Sequence, residues 1–270
     1  MVMNTRKDKT ALVTGASDGI GAEFIKILAD RGYDLILVAR SEDKLNDLAE
    51  KMSNEFGIRC FVIVADLSSA NAAHDLFHAV EEKGLDVNFL INNAGLLRNG
   101  FFTELSLADQ EQMIAVNVLA LTSLTHLYAN KMAASGGGHI LNVASLAGWM
   151  AIPNQNVYAA TKAYVLAFTQ ALSNEMMAAN SGVQITALCP GYTATKMMDN
   201  PEQGATLRIP ASMMMSAREV AEMGIKGCLA GKDLIVPGIA NKFTASITHF
   251  FSKSLLTKLL GSFYPVKAPQ

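Results

Sequence analysis

Short apolar runs at residues 10–14, 34–39, 59–65, 87–91, 138–143, 184–189 and 234–236 alternate with longer stretches whose apolar positions recur at helical spacing. Alternation of this kind predicts strands that pair in parallel through right-handed crossovers. The expected fold class is α/β: a doubly wound, Rossmann-type parallel sheet of about seven strands with helices on both faces. One domain would cover residues 1–270, with its ligands at the carboxyl ends of the strands.

Two helical stretches are apolar on more than one side. Between Gln112 and Ala134, Met113, Ile114, Val116, Val118, Leu119, Leu121, Leu124, Leu127 and Tyr128 exceed a single face. Between Asn154 and Ala179, Val157, Tyr164, Val165, Leu166, Phe168, Leu172 and Met176 do the same. A helix apolar on all sides must be buried on all sides. The sheet can cover one face, and a homo-dimer or homo-tetramer would cover the other.

The segment 196–215 contains Pro201, Gly204 and Pro210 and ends in Met213-Met214-Met215. Ser216-Ala-Arg-Glu219 reads as a capping box, with Met215 and Val220 placed for a hydrophobic staple, so a helix should start near Ala217. That leaves 196–215 as a substrate lid, since long loops in compact domains usually serve function. Met197, Met198 and the Met triplet, with Leu96, Leu97, Trp149, Met150 and Ile152, outline an adaptable apolar pocket. The competing reading makes those methionines core filler.

Residues 238–270 form a C-terminal amphipathic extension in which Phe243, Ile247, Phe250, Phe251, Leu255, Leu256, Leu259, Leu260 and Phe263 recur at helical spacing among Lys242, His249, Lys253 and Lys258. It either packs over the substrate entrance or a subunit interface, or lies on a membrane as a basic amphipathic helix. The lack of a polybasic cluster favours packing.

The 270 residues are half hydrophobic, with a formal net charge of −2. This suits a domain with a sizeable core and provides no long-range attraction to nucleic acid or anionic lipid. Cys60, Cys189 and Cys228 are widely spaced and odd in number, and read as reduced thiols in a cytoplasmic protein. Met1 to Lys9 is polar, without the apolar core of a signal peptide, and no membrane-spanning run of 18 or more apolar residues is expected. His74 and His78 share a helix face but lack an evident third ligand, so no metal site is expected.

Candidate chemistry begins directly after the first strand. Gly15-Ala16-Ser17-Asp18-Gly19-Ile20-Gly21 leads into a helical pattern through Phe24, Ile25, Leu28 and Ala29. Glycines there let backbone approach a pyrophosphate, and the helix N-terminus offers it free N–H groups. The second strand ends without an acid and is followed by Arg40-Ser41. An acid at that tip would bind a ribose 2′-hydroxyl and an Arg a 2′-phosphate, so NADP(H) is expected over NAD(H). Asp18 opposes this, standing where a basic residue would reinforce phosphate binding. Farther on, Tyr158 and Lys162 share one helix face, where an ammonium can favour phenolate and make the tyrosine an acid/base group. Ser145 ends the apolar run from His139.

With Thr14-Gly15-x-x-x-Gly19-Ile20-Gly21, Asn92-Asn93-Ala94-Gly95, Asn117, Ser145, Tyr158-x-x-x-Lys162 and Pro190-Gly191 in this order, the chain resembles the compact branch of the short-chain dehydrogenase/reductases from about Lys9 to about Pro237. The resemblance implies that Tyr158 exchanges the proton with a carbonyl or alcohol, that Lys162 lowers its pKa and binds the nicotinamide ribose, and that Ser145 holds the substrate oxygen. It implies that Asn117 holds a water in a proton relay. Asp66 and Leu67, Asn92, Asn93, Ala94 and Gly95 would meet the adenosine side, and Pro190, Gly191, Thr193 and Thr195 the carboxamide side. Leu97, Trp149 and Met197 would join Ser145 and Tyr158 around the substrate.

The function expected is hydride transfer between NADP(H) and an apolar ketone, 3-oxoacyl or steroid-like carbonyl, or the matching alcohol. A non-catalytic dinucleotide sensor or scaffold on the same fold is the alternative, whose expected mark would be loss of Tyr158 or Lys162. An epimerase of the extended branch would carry a larger substrate domain and a T-G-x-x-G-x-x-G loop, and neither is found in the sequence.

Overall fold

The computed structural model describes residues 9–199, 213–248 and 250–263. Seven strands, β1 (Thr10–Thr14), β2 (Asp34–Ala39), β3 (Cys60–Val64), β4 (Val87–Asn92), β5 (Gly138–Val143), β6 (Val183–Leu188) and β9 (Leu234–Ile235), form one sheet ordered β3-β2-β1-β4-β5-β6-β9. All pairs are parallel, with Val13 opposite Leu37 on one side and Ile91 on the other. The order reverses between β1 and β4, where the crossovers from these two strands leave on opposite faces and open a crevice at their carboxyl ends.

The middle positions of the central strands, Ala11 to Val13, Leu35 to Val38 and Phe89 to Ile91, are apolar because both faces are covered; β1 is buried at every position. Helices α1 (Gly19–Asp30), α2 (Glu42–Phe56) and α8 (Ala217–Leu229) cover one face. Phe24, Ile25 and Leu28 of α1, Leu45 and Met52 of α2 and Ile225 of α8 build that core with Val13, Leu37 and Ile91. The other face takes α3 (Ala72–Glu82), the long helix running from α4 (Leu107–Ile114) through a π-helical stretch (Ala115–Ala120) into α5 (Leu121–Ala134), and α6 (Asn156–Ala178). The helix starting at Ala217 has its capping box, with the Ser216 hydroxyl accepting from the Glu219 N–H and the Glu219 carboxylate accepting from the Ser216 N–H. Met215 packs against the core cluster that contains Val220.

Three expectations change. Thr193–Ala194 (β7) and Met215–Ser216 (β8) pair as a small parallel sheet, so both ends of the lid segment are anchored. A four-residue helix α7 (Lys196–Asp199) begins that segment; its residues 200–212, the Met198 side chain and the tail beyond residue 263 lie outside the described residues, as does Met1 to Asp8. Finally, helix 107–134 does reach the length and hydropathy of a membrane span, with half of its most apolar window buried. Met113, Val116, Leu124 and Tyr128 pack it into the core below the sheet.

The same helix and α6 leave an outer apolar face. Leu119 is 62% exposed and Tyr164 40%, with Tyr164 stacked on Phe168 at 5.6 Å and its hydroxyl 3.0 Å from that of Thr122. The C-terminal extension forms α9 (Ile239–Ile247) and α10 (Lys253–Phe263).

Candidate active site

The crevice at the β1/β4 reversal opens into a cleft of about 330 Å³. Its floor is made of backbone held in place by two residues. The Thr14 hydroxyl accepts from the N–H groups of Asn93 and Ala94, at 3.0 Å each, and the Asn93 amide donates to the carbonyls of Thr14 (3.0 Å) and Gly15 (3.1 Å). Two of the loop glycines are required sterically. Gly15 has φ +65°, and a Cβ on Gly21 would stand 2.0 Å from the Gly15 carbonyl oxygen. Helix α1 can therefore start hard against the end of β1, with Gly15, Ser17, Gly19 and Ile20 along the cleft floor. Gly21 lies behind this floor and makes the approach feasible.

Asp18 caps α1 by accepting from the Gly19 N–H at 2.8 Å. Lys196 pairs with its carboxylate at 2.8 Å, and Lys44 stands 3.8 Å away. Burial alone would raise this carboxyl, but the Lys196 and Gly19 hydrogen bonds and the two cations hold it below its usual value. The acid that read as unfavourable to phosphate is thus neutralised by lysines that the sequence did not single out.

Ser145 follows β5 and caps a 3-10 turn (Leu146–Trp149), its hydroxyl accepting from the Ala147 N–H at 3.2 Å. Tyr158, on the first turns of α6, borders the same cleft as Ser145. Burial pushes the Tyr158 phenol up, and the Ser145 side chain opposes this. Lys162 is buried; its Nζ donates to the Val143 carbonyl at 2.8 Å and lies 5.8 Å from the centre of the Tyr158 ring. Burial draws Lys162 down to about 8. The expected pairing of ammonium and phenol is therefore not what balances Tyr158 here. Lys162 is tied to the end of β5, over the Tyr158 ring.

Asn117 sits in the π-helical stretch, and π turns recur at functional sites. Its amide accepts from the Leu96 N–H (2.8 Å) and donates to the Leu96 carbonyl (2.9 Å) and the Thr161 hydroxyl (3.1 Å). It does not line the cleft. A Cβ on Gly95 would be 3.5 Å from both the Asn117 Oδ1 and the Lys162 Nζ, so both side chains approach Gly95. The geometry makes Asn117 a positioning residue for the Leu96 loop and the Lys162 turn.

Ala94, Gly95, Leu97, Ser145, Tyr158, Lys162, Pro190, Gly191, Thr193, Thr195 and Met197 all border the cleft. Gly191 approaches Asn241 so closely that an added Cβ would meet the Asn241 amide at 2.4 Å. Arg40, Ser41, Asp66 and Leu67 lie outside it, at the tips of β2 and β3. Arg40 is exposed and near enough to Asp66 for its charge to help the Ser68 hydrogen bonds hold that carboxyl low.

Two placements are corrected. Trp149 does not reach the cleft: it packs with Leu121, Val165 and Leu166, whereas Met150 borders the cleft with Ala147. In a turn of three residues per revolution Ala147 and Met150 share a side, and Trp149 falls on another. Asn92 turns away beneath the sheet, where it donates to Asn142 (2.9 Å) and Thr125 (3.0 Å), and Asn142 donates on to Thr169 (3.1 Å). This buried polar ladder ties β4, β5, α5 and α6 together.

Eight cleft residues were not among the predicted site residues: Val143, Ala144, Leu146, Ala147, Gln155, Tyr192, Lys196 and Leu260. Gln155 precedes Tyr158 by three residues, a usable signal; Leu260 comes from α10, part of the extension for which packing over the substrate entrance was one expectation.

The chemistry of this arrangement is a phenol, a hydroxyl and a buried amine beside a glycine floor that backbone could offer to a dinucleotide. The steric demand at Gly15 and Gly21 and the N-terminus of α1 fit such a cofactor. Comparisons agree. Residues 9–205 match the short chain dehydrogenase family. A very-long-chain 3-oxoacyl-CoA reductase of Danio rerio is 31% identical over 83% of this chain and 70% of its own length. A 7β-hydroxysteroid dehydrogenase superposes with a TM-score of 0.84 at 27% identity, covering 96% of this chain and all of its own. A Sphingobium yanoikuyae short-chain dehydrogenase solved with NADPH gives 0.78 at 29% identity, covering 97% of this chain and 98% of its own. With its glycine floor, its Ser145, Tyr158 and Lys162 on one cleft and a family match over most of its length, this chain belongs to the short-chain dehydrogenases, nicotinamide-dependent oxidoreductases acting on small molecules.

Proposed function

We propose that this protein uses NADP(H) to interconvert an apolar ketone and its secondary alcohol. The observation that carries the reading is the company of Tyr158. This tyrosine borders, with Ser145 and Lys162, a cleft that is also lined by Leu97, Met150, Ile152, Met197 and Leu260. Relatives named for 3-oxoacyl and steroid substrates support an extended apolar substrate.

A bound nicotinamide dinucleotide supplies the hydride in reduction and accepts it in oxidation. In reduction the Tyr158 phenol gives its proton to the carbonyl oxygen as the C–O double bond becomes a single bond. Ser145 holds that oxygen and favours the charge developing on it. Lys162, excluded from water, is positioned to favour phenolate once the proton has left and to meet ribose hydroxyls, while Asn117 fixes its surroundings.

The preference for NADP(H) is supported by Arg40 at the tip of β2, where no acid stands, and by Lys44 one turn into α2. Arg40→Ala is expected to raise the KM for NADPH about tenfold to a hundredfold, the worth of a charged hydrogen bond, and to leave that for NADH unchanged. Steady-state oxidation of both cofactors with a panel of bulky ketones and 3-oxoacyl thioesters checks this. An unaltered preference would remove the assignment, and a panel without turnover would remove the reading.

The outer face around Leu119, Tyr164 and Phe168 supports a homo-dimer or homo-tetramer through the long helix and α6. Light scattering at micromolar concentration is expected to give a multiple of the 28.9 kDa chain mass.

A further inference from the structure

Helices α9 and α10 carry apolar residues on both their inner and outer sides. Inward, Ala245 packs into the core and Leu260 borders the cleft. Outward, Ile239 and Phe243, one turn apart, are 87% and 68% exposed, and Leu255 and Leu259, again one turn apart, are 45% and 51% exposed. Phe250 and Phe251, in the connection, are 84% and 43% exposed. Six of the fifteen large apolar residues exposed among the described residues thus fall within one short segment, which scattered surface exposure does not explain.

Charge distinguishes the partner. The exposed Lys242 lies beside Ile239 and Phe243 in helical spacing, and the exposed Lys258 beside Leu255 and Leu259. Residues 238–270 contain four lysines and no acid; taking those four from the chain's 22 basic residues leaves 18 against 24 acidic ones, a balance of −6 for residues 1–237. Two copies meeting through this face about a two-fold axis would bring lysines against lysines in an apolar contact, which is unfavourable. Aromatic and leucine side chains interleaved with lysines instead fit the boundary between anionic headgroups and acyl chains.

We propose that α9 and α10 form a docking surface for anionic phospholipid membranes, next to the mouth of the cleft. The net charge of the whole chain conceals this surface, because the body outweighs the tail. On the reading that the substrate is apolar, docking would set the cleft wall at Leu260 beside the lipid, and substrate would pass from bilayer to Tyr158 without crossing water.

The test is flotation of the full-length protein with phosphatidylcholine vesicles, with and without phosphatidylglycerol. Wild type is expected to float with the anionic vesicles and at least tenfold less with phosphatidylcholine alone. Phe243→Ser with Phe250→Ser, and separately Lys242→Glu with Lys258→Glu, should each lower flotation at least tenfold at an unchanged melting temperature. Wild type that stays in solution, or variants that float like it, would overturn the proposal. So would an aromatic variant that loses mass in light scattering yet still floats, since the face would then join copies of the chain. Flotation needs no turnover, so the proposed reaction can fail while the docking surface stands.

Discussion

Tyr158→Phe is expected to lower turnover by about 10²–10⁴-fold, the range that a positioned proton donor contributes. The ring should stay in place, because it packs between the sheet-side core and the cluster of Ala147, Ile152 and Ala159 independently of the hydroxyl. Cofactor affinity, read by fluorescence titration, and melting temperature should therefore be close to wild type. Because burial raises the free phenol, wild-type reduction should persist over neutral pH, where Tyr158 carries the proton it must give. Turnover within a few fold of wild type would refute Tyr158 as the acid/base group, whatever the substrate.

Lys162→Met should separate activity from stability. A loss of at least a hundredfold in turnover is expected, since both the proton donor and the cofactor ribose are proposed to depend on the amine. Stability should hold or rise. Lys162 titrates near 8 in the folded chain against 10.5 for the free side chain, a difference worth about 3 kcal/mol against folding while the amine is charged. The unfolded chain keeps its proton through this interval, so the penalty is fully present below pH 8, fades as pH rises toward 10.5, and is absent above. Methionine removes it but leaves the Val143 carbonyl without its Lys162 bond, which costs about 1–3 kcal/mol. The net expectation is a melting temperature at or above wild type at pH 7, with the difference shrinking as pH rises from 8 to 10.5. A variant that melts well below wild type at neutral pH would show that Lys162 is chiefly structural.

The two readings of Lys162 show how far sequence spacing reaches. Four residues on a helix place Lys162 on the same face as Tyr158, and they are indeed neighbours. Spacing does not reveal what else approaches the amine. The Val143 carbonyl comes from another element, and the amine bonds to it while lying over the Tyr158 ring. Asp18 is a similar case. As a loop residue it argued against phosphate, and only the approach of Lys44 from α2 and Lys196 from the segment after β7 changes its electrostatic sense.

By itself the sequence determined the sheet, the glycine floor and the order of Ser145, Tyr158 and Lys162 along the chain. Each of these rests on local rules: apolar runs of strand length, glycine where backbone must pass close, and helical periodicity, all of which act over a few residues. The tertiary structure decided which side chains face the cleft. Trp149 left it through the pitch of a 3-10 turn, Asn92 turned beneath the sheet into a polar ladder, and Leu260 entered it from a helix at the far end of the chain. Burial and long-range packing set these outcomes, and both depend on segments distant in sequence arriving at one place.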